Sequence, residues 1–410
     1  SGNGVTAICE DRDGIVWIGT ELNGLNRFDM KSGNFTNYVN DPNNKYSLAS
    51  DGVSDIKEDK DGNLWIVTDG SGFCRFDKKS NRFIRYQNDP NNNTSLPIDQ
   101  VSVLLEDKFG DLLIGTFGAG LLKYDRKKNS FTKINYNPDE PDDITATGIY
   151  CLAEDLNGTL WIGTYSNGLF IYDRVSGKSK WYYNIPGNAE SISDNIISSI
   201  LMSKDGSIWI GTSNGINKFD PTSEKCKRFT ESDGLPNNTI YGILEDESGN
   251  LWISTNKGLS KFNPEKNIFR NYNKDDGLQS DEFNQWACFN GKSGNLYFGG
   301  INGFNVFNPS KIKESDFKPP IVLTNILLFN KPVSVGFDSH LNRTVLNSSL
   351  NKIEELELSH EDYVFTLEFA ALDFTIPQNV SYAYKMEGFD KDWTYINSDR
   401  RFATYTNLSP

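Results

Sequence analysis

The sequence is short of histidine, and the two that it has lie near its C-terminal end. His340 and His360 are the only histidines among 410 residues. Histidine is the most common general base and a frequent metal ligand in proteins. This scarcity excludes most histidine-based catalysis and histidine–metal chemistry from residues 1–300. We expect both histidines to lie at the surface.

Long apolar runs and an excess of positive charge are also missing. The longest apolar stretch, residues 319–329, is interrupted by Thr324 and Asn325, whereas a bilayer-spanning helix needs about 20 apolar residues. No signal peptide opens the chain, so we expect this piece of protein to be soluble. With 41 basic and 55 acidic residues, the net charge is −14. Without a basic tract, the chain is a poor partner for nucleic acid or an anionic membrane surface.

The cysteines form no pair of the CxxC type. Their number is odd and their spacing is wide, which disfavours a disulfide framework or a zinc site. We predict partly buried free thiols at Cys9, Cys74, Cys151, Cys226 and Cys288.

What the sequence does contain is a motif that recurs seven times. Its first copy is DGIVWIGT at residues 13–20, followed by a loop glycine, Gly24, and the pair Phe28-Asp29. The positions equivalent to the aromatic residue of this copy are Trp17, Trp65, Leu113, Trp161, Trp209, Trp252 and Tyr297. Their spacings are 48, 48, 48, 48, 43 and 45 residues. Self-similarity at such a constant period indicates a repeat architecture.

Each copy is predicted to form four short strands. In the first copy these are Val5–Glu10, Val16–Thr20, Leu25–Asp29 and Phe35–Val39. Pairs such as Asp13-Gly14 predict hairpin turns between the first two strands. The second strands are apolar at consecutive positions, as in Leu160-Trp161-Ile162, so they must be buried on both faces. Stacked four-stranded blades meet that demand, whereas a solenoid would need polar end caps that are not seen. We predict an all-β chain with a seven-bladed β-propeller over residues 1–318.

The last copy is incomplete and supplies only three strands, Trp286–Asn290, Leu296–Gly300 and Phe304–Asn308. Propellers commonly close by borrowing a strand from the other terminus. We therefore expect either a donor strand upstream of Ser1, in a longer protein, or closure by packing alone.

A differently patterned region follows the repeats from Pro319 onward. About ninety residues of short strands are typical of an immunoglobulin-like β-sandwich, which we predict over residues 319–410. The chain stops at a turn, and we expect the sandwich to be truncated before its final strand. The predicted strands are Val322–Phe329, Glu354–Leu358, Tyr363–Leu372, Tyr382–Glu387, Thr394–Ile396 and Phe402–Tyr405.

These residues carry a family resemblance. Copies such as NGTLWIGT at residues 157–164, with Gly168-Leu169 and Tyr172-Asp173 after them, resemble the two-component regulator propeller repeat. The segments FAALDF at residues 369–374, YAYK at 382–385 and EGFDKDW at 387–393 resemble the triple-tyrosine (Y-Y-Y) domain that follows such propellers. The resemblance implies the extracytoplasmic sensor of a bacterial membrane-spanning signalling protein, with a kinase or cyclase output domain. It also implies sensing of glycans. This chain departs from the pattern in having one propeller, no transmembrane helix and no output domain.

A ligand site is predicted where the loops between second and third strands meet the starts of the first strands, around the axial mouth of the propeller. Aromatic rings stack on the apolar faces of sugars, while amides and hydroxyls bind sugar hydroxyls. Interblade packing is the alternative role for Tyr150, Tyr241 and Trp286. The candidate ligand-binding residues are Phe117, Tyr150, Tyr165, Asn167, Asn214, Tyr241 and Trp286.

No catalytic, metal or cofactor site is predicted. Nucleotide-binding, serine-hydrolase and zinc-protease motifs are absent. Carboxylate pairs such as Glu10-Asp11 and Glu58-Asp59 recur in the early copies, as structural strand ends do and catalytic pairs do not. The Asn- and Asp-rich linkers at residues 40–44 and 88–92 lack the ligand order of a calcium loop and are interpreted as turns.

The leading hypothesis is a ligand-sensing, non-enzymatic receptor region that binds a small molecule or an oligosaccharide. A population shift would pass from the mouth to the sandwich, through which we expect a homodimer, and then through a membrane anchor of the whole protein. The alternatives are a propeller lyase and a protein-binding scaffold. A lyase should show a histidine or tyrosine base beside a charged cluster at the mouth. A scaffold should present a broad apolar or charged face.

Overall fold

The computed structural model describes residues 2–134, 144, 147–312, 319–353, 355–372, 380, 382–396 and 398–406. The chain divides into two compact units, Ser1–Ile312 and Lys313–Pro410. The helical elements in these ranges include 3₁₀ turns at Glu231–Asp233, Lys274–Asp276, Pro309–Lys311 and Leu350–Lys352. None of the described helices has the length and hydropathy needed to cross a bilayer.

In the described part of the first unit, seven antiparallel sheets follow one another along the chain, each with its strands in sequence order. We call these sheets blades 1 to 7. The first strands are Val5–Glu10, Val53–Glu58, Val101–Glu106, Ile149–Glu154, Ile197–Met202, Ile240–Glu245 and Phe283–Asn290. The second strands are Ile15–Thr20, Leu64–Thr68, Leu112–Thr116, Thr159–Thr164, Ile208–Thr212, Leu251–Thr255 and Leu296–Gly300.

Third and fourth strands complete the blades outside these two. The third strands are Leu25–Asp29, Phe73–Asp77, Leu121–Asp125, Leu169–Asp173, Gly215–Asp220, Gly258–Asn263 and Gly303–Phe307. The fourth strands of blades 1 to 6 are Asn34–Tyr38, Arg82–Tyr86, Ser130–Lys133, Lys178–Tyr182, Lys225–Phe229 and Ile268–Tyr272. Among the described residues, blade 7 has three strands. The seven-bladed propeller and its incomplete last blade are confirmed.

The first strands form the inner ring, because each one packs against the first strand of the next blade. The second strands are buried between neighbouring blades, with Trp17, Trp65 and Trp252 each about 1% exposed. Close approach at one point requires glycine: a Cβ at Gly19 would lie 2.5 Å from Val53 Cγ1 of the next blade. Burial of the second strands on both faces therefore follows from their unbroken apolar sequence.

The ring closes between blades 7 and 1. The Asn284 side chain donates a hydrogen bond to Val5 O (2.9 Å), and the Tyr297 hydroxyl donates to Glu10 Oε2 (3.1 Å). Closure thus combines a polar contact at each end of the first strand of blade 1 with packing of that strand against blade 7.

At the end of each blade where the first strand turns into the second, which we call the hairpin end, an aspartate organises the turn. In blade 2, Asp59 Oδ1 accepts the backbone N–H groups of Asp61 (3.0 Å) and Asn63 (2.8 Å). Its other oxygen accepts the indole N–H of Trp65 (2.8 Å). Asp11 and Asp246 hold their own tryptophans in the same way.

A cation from the following blade reaches three of these aspartates. Lys78 lies 3.0 Å from Asp11, Arg126 lies 2.6 Å from Asp59, and Arg174 lies 2.5 Å from Asp107. Each cation also contacts the glutamate that ends the first strand of its own blade. In blades 5, 6 and 7 the cation is replaced by proline, at Pro221, Pro264 and Pro309. The repeated carboxylate pairs therefore join blades 1 to 4, as their structural interpretation predicted.

The second unit is immunoglobulin-like. Its main sheet has the strand order Lys331–Pro332, Ile321–Leu328, Val364–Ala371, Phe402–Thr406. Two hairpins accompany it, formed by Gly336–Asp338 with Arg343–Leu346 and by Tyr382–Tyr384 with Thr394–Ile396. Ile326, Leu328, Phe365, Phe369 and Tyr405 are at the centre of its core.

Several predicted elements need correction. The fourth strand of blade 1 runs one residue earlier than predicted, and the strand predicted at 382–387 ends at Tyr384. The strand predicted at 354–358 was wrong: residues 355–358 form no strand, and Glu354 lies outside the described residues. Leu356 and Leu358 still pack on the core of this unit. Their alternating apolar pattern therefore indicates burial, although the segment forms no strand.

The predictions of free cysteine thiols and surface histidines are confirmed. All five cysteines are free, and four of them are buried. Burial raises the pKa of the Cys9 thiol to about 12, which keeps it protonated at neutral pH. Both histidines are exposed.

Candidate functional site

Two sets of loops meet at the end of the blades opposite the hairpin end, which we call the mouth. The first residue after a second strand donates its N–H to the residue that precedes the first strand of the same blade. Phe117 N bonds Gln100 O (2.8 Å), and Tyr165 N bonds Gly148 O (2.9 Å). The same bond recurs at Glu21, Asp69, Ser213 and Ile301. The prediction that these loops share one face is confirmed.

Each first strand of blades 1 to 6 carries a one-residue β-bulge close to the mouth. In blade 1, Val5 pairs with Thr20 and Ala7 with Gly19, so that Thr6 is the extra residue. Bulges redirect side chains and are common beside binding sites. The bulged residues, which are the positions predicted to reach the mouth, are Thr6, Ser54, Ser102, Tyr150, Ser198 and Tyr241.

Short bulged side chains can link neighbouring blades. The Thr6 hydroxyl donates to Val53 O (2.5 Å), and the Ser102 hydroxyl donates to Ile149 O (2.6 Å). The bulged tyrosines of blades 4 and 6 are too large for this role, so their rings occupy the mouth or the space between blades.

The bulge of blade 7 is longer. Phe283 pairs with Gly300 and Cys288 with Phe298, so that residues 284–287 oppose only Gly299. The net insertion is three residues, two more than in the other blades. Trp286 lies in this bulge with φ 63°, a left-handed conformation that costs a non-glycine residue roughly 1–2 kcal/mol. Its Nε1 atom is buried and has no hydrogen-bond partner in the described residues. Strain and an unpaired donor together mark this position as unusual.

Four of the predicted residues form one contact group, which we call the aromatic cluster: Phe117, Tyr150, Tyr165 and Trp286. The Tyr150 ring centroid lies 4.8 Å from that of Trp286, 5.3 Å from Tyr165 and 6.1 Å from Phe117, each in edge-to-face geometry. Tyr165 is 52% and Phe117 36% exposed. Blades 4 and 7 are not neighbours in a ring of seven, so Trp286 reaches across the centre of the mouth.

The cluster depends on a close backbone approach at Gly148. A Cβ atom there would lie 2.2 Å from the Phe117 ring. The ring is therefore seated against bare backbone of blade 4, which explains how Phe117 comes within reach of Tyr150.

Tyr241 and Tyr150 differ in surroundings but share a raised pKa. Burial raises the pKa of Tyr241, and the negative charge of Glu282 adds to the effect. Burial also raises the pKa of Tyr150. Gln285 lies beside the Tyr150 hydroxyl and opposes that rise, but its amide nitrogen completes no hydrogen bond within the described residues. Both phenols stay protonated at neutral pH and can donate a hydrogen bond. Tyr241 packs beside the core shared by blades 6 and 7, as its structural alternative predicted.

The two predicted asparagines serve their own turns. The Asn167 N–H donates to Thr164 Oγ1, and its side-chain oxygen accepts from Ser166. The Asn214 N–H donates to Thr212 Oγ1. Both side chains are exposed at the mouth, but no contact of theirs with the aromatic cluster is present in the described structure. Their role in ligand binding stays a prediction.

Sequence reasoning missed Gln285 and Glu282. Both belong to the segment before Trp286, which has two residues more than its counterparts in the other copies. An alignment of the copies at Cys288 and Ile8 would have exposed that insertion. In the described ranges, no group of three or more His, Cys, Asp and Glu side chains is arranged to hold a metal ion.

Family models match both parts of the chain. The two-component regulator propeller matches residues 1–21, 47–70, 191–214 and 234–257. The Y_Y_Y domain matches residues 373–410. The propeller matches fall in blades 1, 2, 5 and 6, and each one spans the first and second strands of its blade.

Known proteins of similar sequence or structure include signalling proteins. The extracellular domain of BT3049 from B. thetaiotaomicron, described as a hybrid two component system, is 27% identical with a TM-score of 0.70. The match covers 100% of this chain and 52% of that one. Histidine kinase P4 of Formosa agariphila is 28% identical over 119 residues, which are 29% of this chain and 8% of the kinase.

A propeller enzyme has the same fold at lower identity. An inactive histidine-to-alanine variant of virginiamycin B lyase from Staphylococcus aureus, in complex with quinupristin, is 18% identical with a TM-score of 0.55. The match covers 74% of this chain and 93% of the lyase. The chain thus matches the two-component regulator propeller in four segments of its first unit and the Y_Y_Y domain over residues 373–410, the two families that the sequence resemblance named.

Proposed function

We propose that this chain is the ligand-sensing, extracytoplasmic region of a membrane signalling receptor, and that the mouth of its propeller binds an oligosaccharide. The observation that carries the proposal is the aromatic cluster. Trp286 crosses the mouth to Tyr150, and two further rings, Phe117 and Tyr165, stay exposed to solvent beside them.

The chemistry of the cluster suits a sugar. Exposed ring faces stack on sugar C–H groups, and the protonated phenols bind hydroxyl groups. The buried indole N–H of Trp286 lacks a partner in the described residues, and such a donor gains a hydrogen bond from a ligand oxygen at little further desolvation cost. A sugar ring with one apolar face and a polar edge matches this combination.

Signal transfer is part of the same proposal. Ligand binding would shift the population of propeller conformations, and the second unit would pass that shift on by changing how it associates in a homodimer. A transmembrane helix and a cytoplasmic output domain would complete the whole protein. Support comes from BT3049, whose matched region is an extracellular domain of a hybrid two component system, and from the kinase relative.

A lyase activity is the second candidate, but the residues of the propeller do not support it. The similar virginiamycin B lyase is inactive when a histidine is replaced by alanine. The propeller of this chain contains no histidine at all, because both histidines lie beyond residue 312. A lyase here would need a different base.

Thermal unfolding across a panel of plant and host oligosaccharides tests the proposal. A ligand at a hundred times its dissociation constant adds about 2.7 kcal/mol to the stability of the folded state, so its binding raises the midpoint visibly. We expect a selective rise that is lost in Trp286→Ala and Tyr165→Ala. Tyr46→Ala is the matched control, since this exposed tyrosine lies beside the outer strand of blade 2.

The outcomes separate the site from the function. A rise that survives both mouth substitutions would place the ligand elsewhere on the chain. An unchanged midpoint with every saccharide would overturn glycan sensing by this chain.

A further inference from the structure

Charge is distributed unevenly at the mouth. The segments that form it are the loops between second and third strands and the three residues before each first strand. Together they contain seven carboxylates and one ammonium group: Glu21, Asp51, Asp69, Asp99, Asp194, Asp281 and Glu282 against Lys257. This excess exceeds what the overall composition of 55 acidic and 41 basic residues would produce in so few positions.

Four of these carboxylates hold local backbone. Asp51 Oδ1 accepts the N–H of Asn40 (2.6 Å), and Asp99 Oδ1 accepts that of Asn88 (2.7 Å). Asp194 and Asp281 accept backbone N–H groups in the same manner. These bonds fix the four side chains beside the mouth.

The other three, Glu21, Asp69 and Glu282, are exposed. None of them forms an ion pair in the part of the chain that the structure describes. Glu282 is close enough to Tyr241 for its charge to act on that phenol. Asp69 and Glu21 flank Gly52, with Asp69 Cβ and Glu21 O about 3 Å from where a Cβ would stand. We call these three residues the carboxylate rim.

Apart from Trp286, the aromatic cluster and the rim lie on different blades. The rim belongs to blades 7, 1 and 2, which are consecutive around the ring. Phe117, Tyr150 and Tyr165 belong to blades 3 and 4, and Trp286 extends from blade 7 to meet them. The mouth therefore offers a stacking surface on one side and acceptor-only groups on the other.

From this arrangement we infer that the mouth selects an uncharged glycan and rejects uronic-acid and sulfated ones. The inference rests on the proposed function and adds the ligand class. Carboxylates accept hydrogen bonds from sugar hydroxyls, whereas a carboxylate or sulfate on the sugar would face like charges across the rim. The buried Trp286 Nε1, which has no partner in the described residues, suits a neutral ring or glycosidic oxygen.

The test compares saccharides of matched backbone by titration calorimetry at low and at 0.5 M salt. The probes are galacto-oligosaccharides against oligogalacturonides, and gluco-oligosaccharides against sulfated and amino-substituted ones. For any saccharide that binds, we expect the neutral form to bind at least about tenfold more tightly than the acidic form at low salt. This difference in affinity should narrow at high salt because salt screens exposed charges.

The variant Glu21→Gln, Asp69→Asn, Glu282→Gln supplies the second arm. It should narrow the difference in affinity between neutral and acidic probes, while the dissociation constant of the neutral probe changes by less than about threefold. The matched control neutralises three exposed carboxylates at the hairpin end, with Asp13→Asn, Asp61→Asn and Glu247→Gln, and should keep that difference in affinity.

Tighter or equal binding of an acidic probe overturns the inference and leaves glycan sensing intact. Binding of the amino-substituted probe alone overturns it too, because the rim would then serve as a counter-ion for a cationic sugar. Failure of every probe, neutral and charged, overturns the proposed function and this inference with it.

Discussion

The two ends of the propeller blades use the same strands in opposite ways. At the hairpin end one arrangement is repeated: aspartates hold turn amides and tryptophan N–H groups, and Lys78, Arg126 and Arg174 link blades 1 to 4. At the mouth the bulged position recurs, but its occupant changes from threonine and serine to tyrosine and, in a longer bulge, to Trp286. Contacts that recur in many blades serve the fold, whereas contacts made once are free to serve a ligand.

The two ends also differ in how much their contacts contribute to the stability of the fold. The hairpin end buries a paired charge: Asp59 is 3% exposed and is held by Asn63, Trp65 and Arg126. The mouth leaves groups unpaired and rings exposed. Substitutions at the hairpin end should therefore lower stability without affecting ligand selectivity, and those at the mouth should do the reverse.

The largest effect is expected from Asp59→Ala. It leaves the buried Trp65 N–H and the turn amides without their acceptor and removes one of the carboxylates that contact Arg126. Removal of one partner from a buried pair costs about 3–5 kcal/mol. Urea unfolding of the propeller measures it. The control Asp61→Ala removes a largely exposed aspartate whose contact with Arg126 is longer, at 3.5 Å. It should lower the free energy of unfolding by less than about 1 kcal/mol. Similar losses in both variants would contradict the importance of burial.

A smaller loss is expected from Arg126→Met. The buried Asp59 keeps its bonds to Trp65 and to backbone amides. The substitution removes the cation that pairs with Asp59 and Glu106 and that stacks 5.7 Å from the Trp65 ring. We expect a cost of about 1–2 kcal/mol. The same unfolding assay applies. Met30 already occupies this position in blade 1, so methionine is compatible with the turn. A loss as large as that of Asp59→Ala would mean that the cation, and not the hydrogen bonds, holds the blades.

Acid should weaken the hairpin end selectively. Burial opposes ionisation of Asp59, but hydrogen bonds from Trp65 and Asn63 and from Arg126 outweigh it and lower its pKa below the usual 3.8. The pKa of Asp11 is lowered in the same way, by Trp17 and Lys78 against burial. A folded-state pKa below the unfolded one contributes stability above pH 3.8, and that contribution is lost as the pH falls through the lowered value.

The measurement is the stability of the propeller from pH 7 to pH 2, in the natural chain and in Asp59→Asn. The difference between the two should be constant above about pH 5 and should shrink below pH 4. A difference that grows toward low pH would have the wrong sign for a lowered pKa.

The comparison also explains what the sequence could predict. Repeat spacing predicts the seven blades, and strand parity then predicts which positions reach the mouth, because every copy obeys the same pairing. Trp286 was found by this route, but its left-handed backbone and its contact with Tyr150 were not, since they depend on two extra residues in one copy. In the second unit, Leu356 and Leu358 alternate like a strand yet only pack on the core. Alternating apolar residues indicate burial. Whether the segment also pairs as a strand depends on a neighbouring strand edge, which the alternation does not show.

The smallest effect on stability is expected at the mouth, from Trp286→Gly compared with Trp286→Ala. Glycine adopts the left-handed conformation without strain, so relief of about 1 kcal/mol offsets part of the packing that the ring provides. Alanine keeps the strain, and we expect it to be less stable than glycine by about 1 kcal/mol. Both variants should lose the saccharide-dependent rise in the unfolding midpoint. If each loses more than about 3 kcal/mol, which is the range of a buried tryptophan, the ring belongs to the core of the propeller. The division between a structural hairpin end and a ligand-binding mouth would then fail at its central residue.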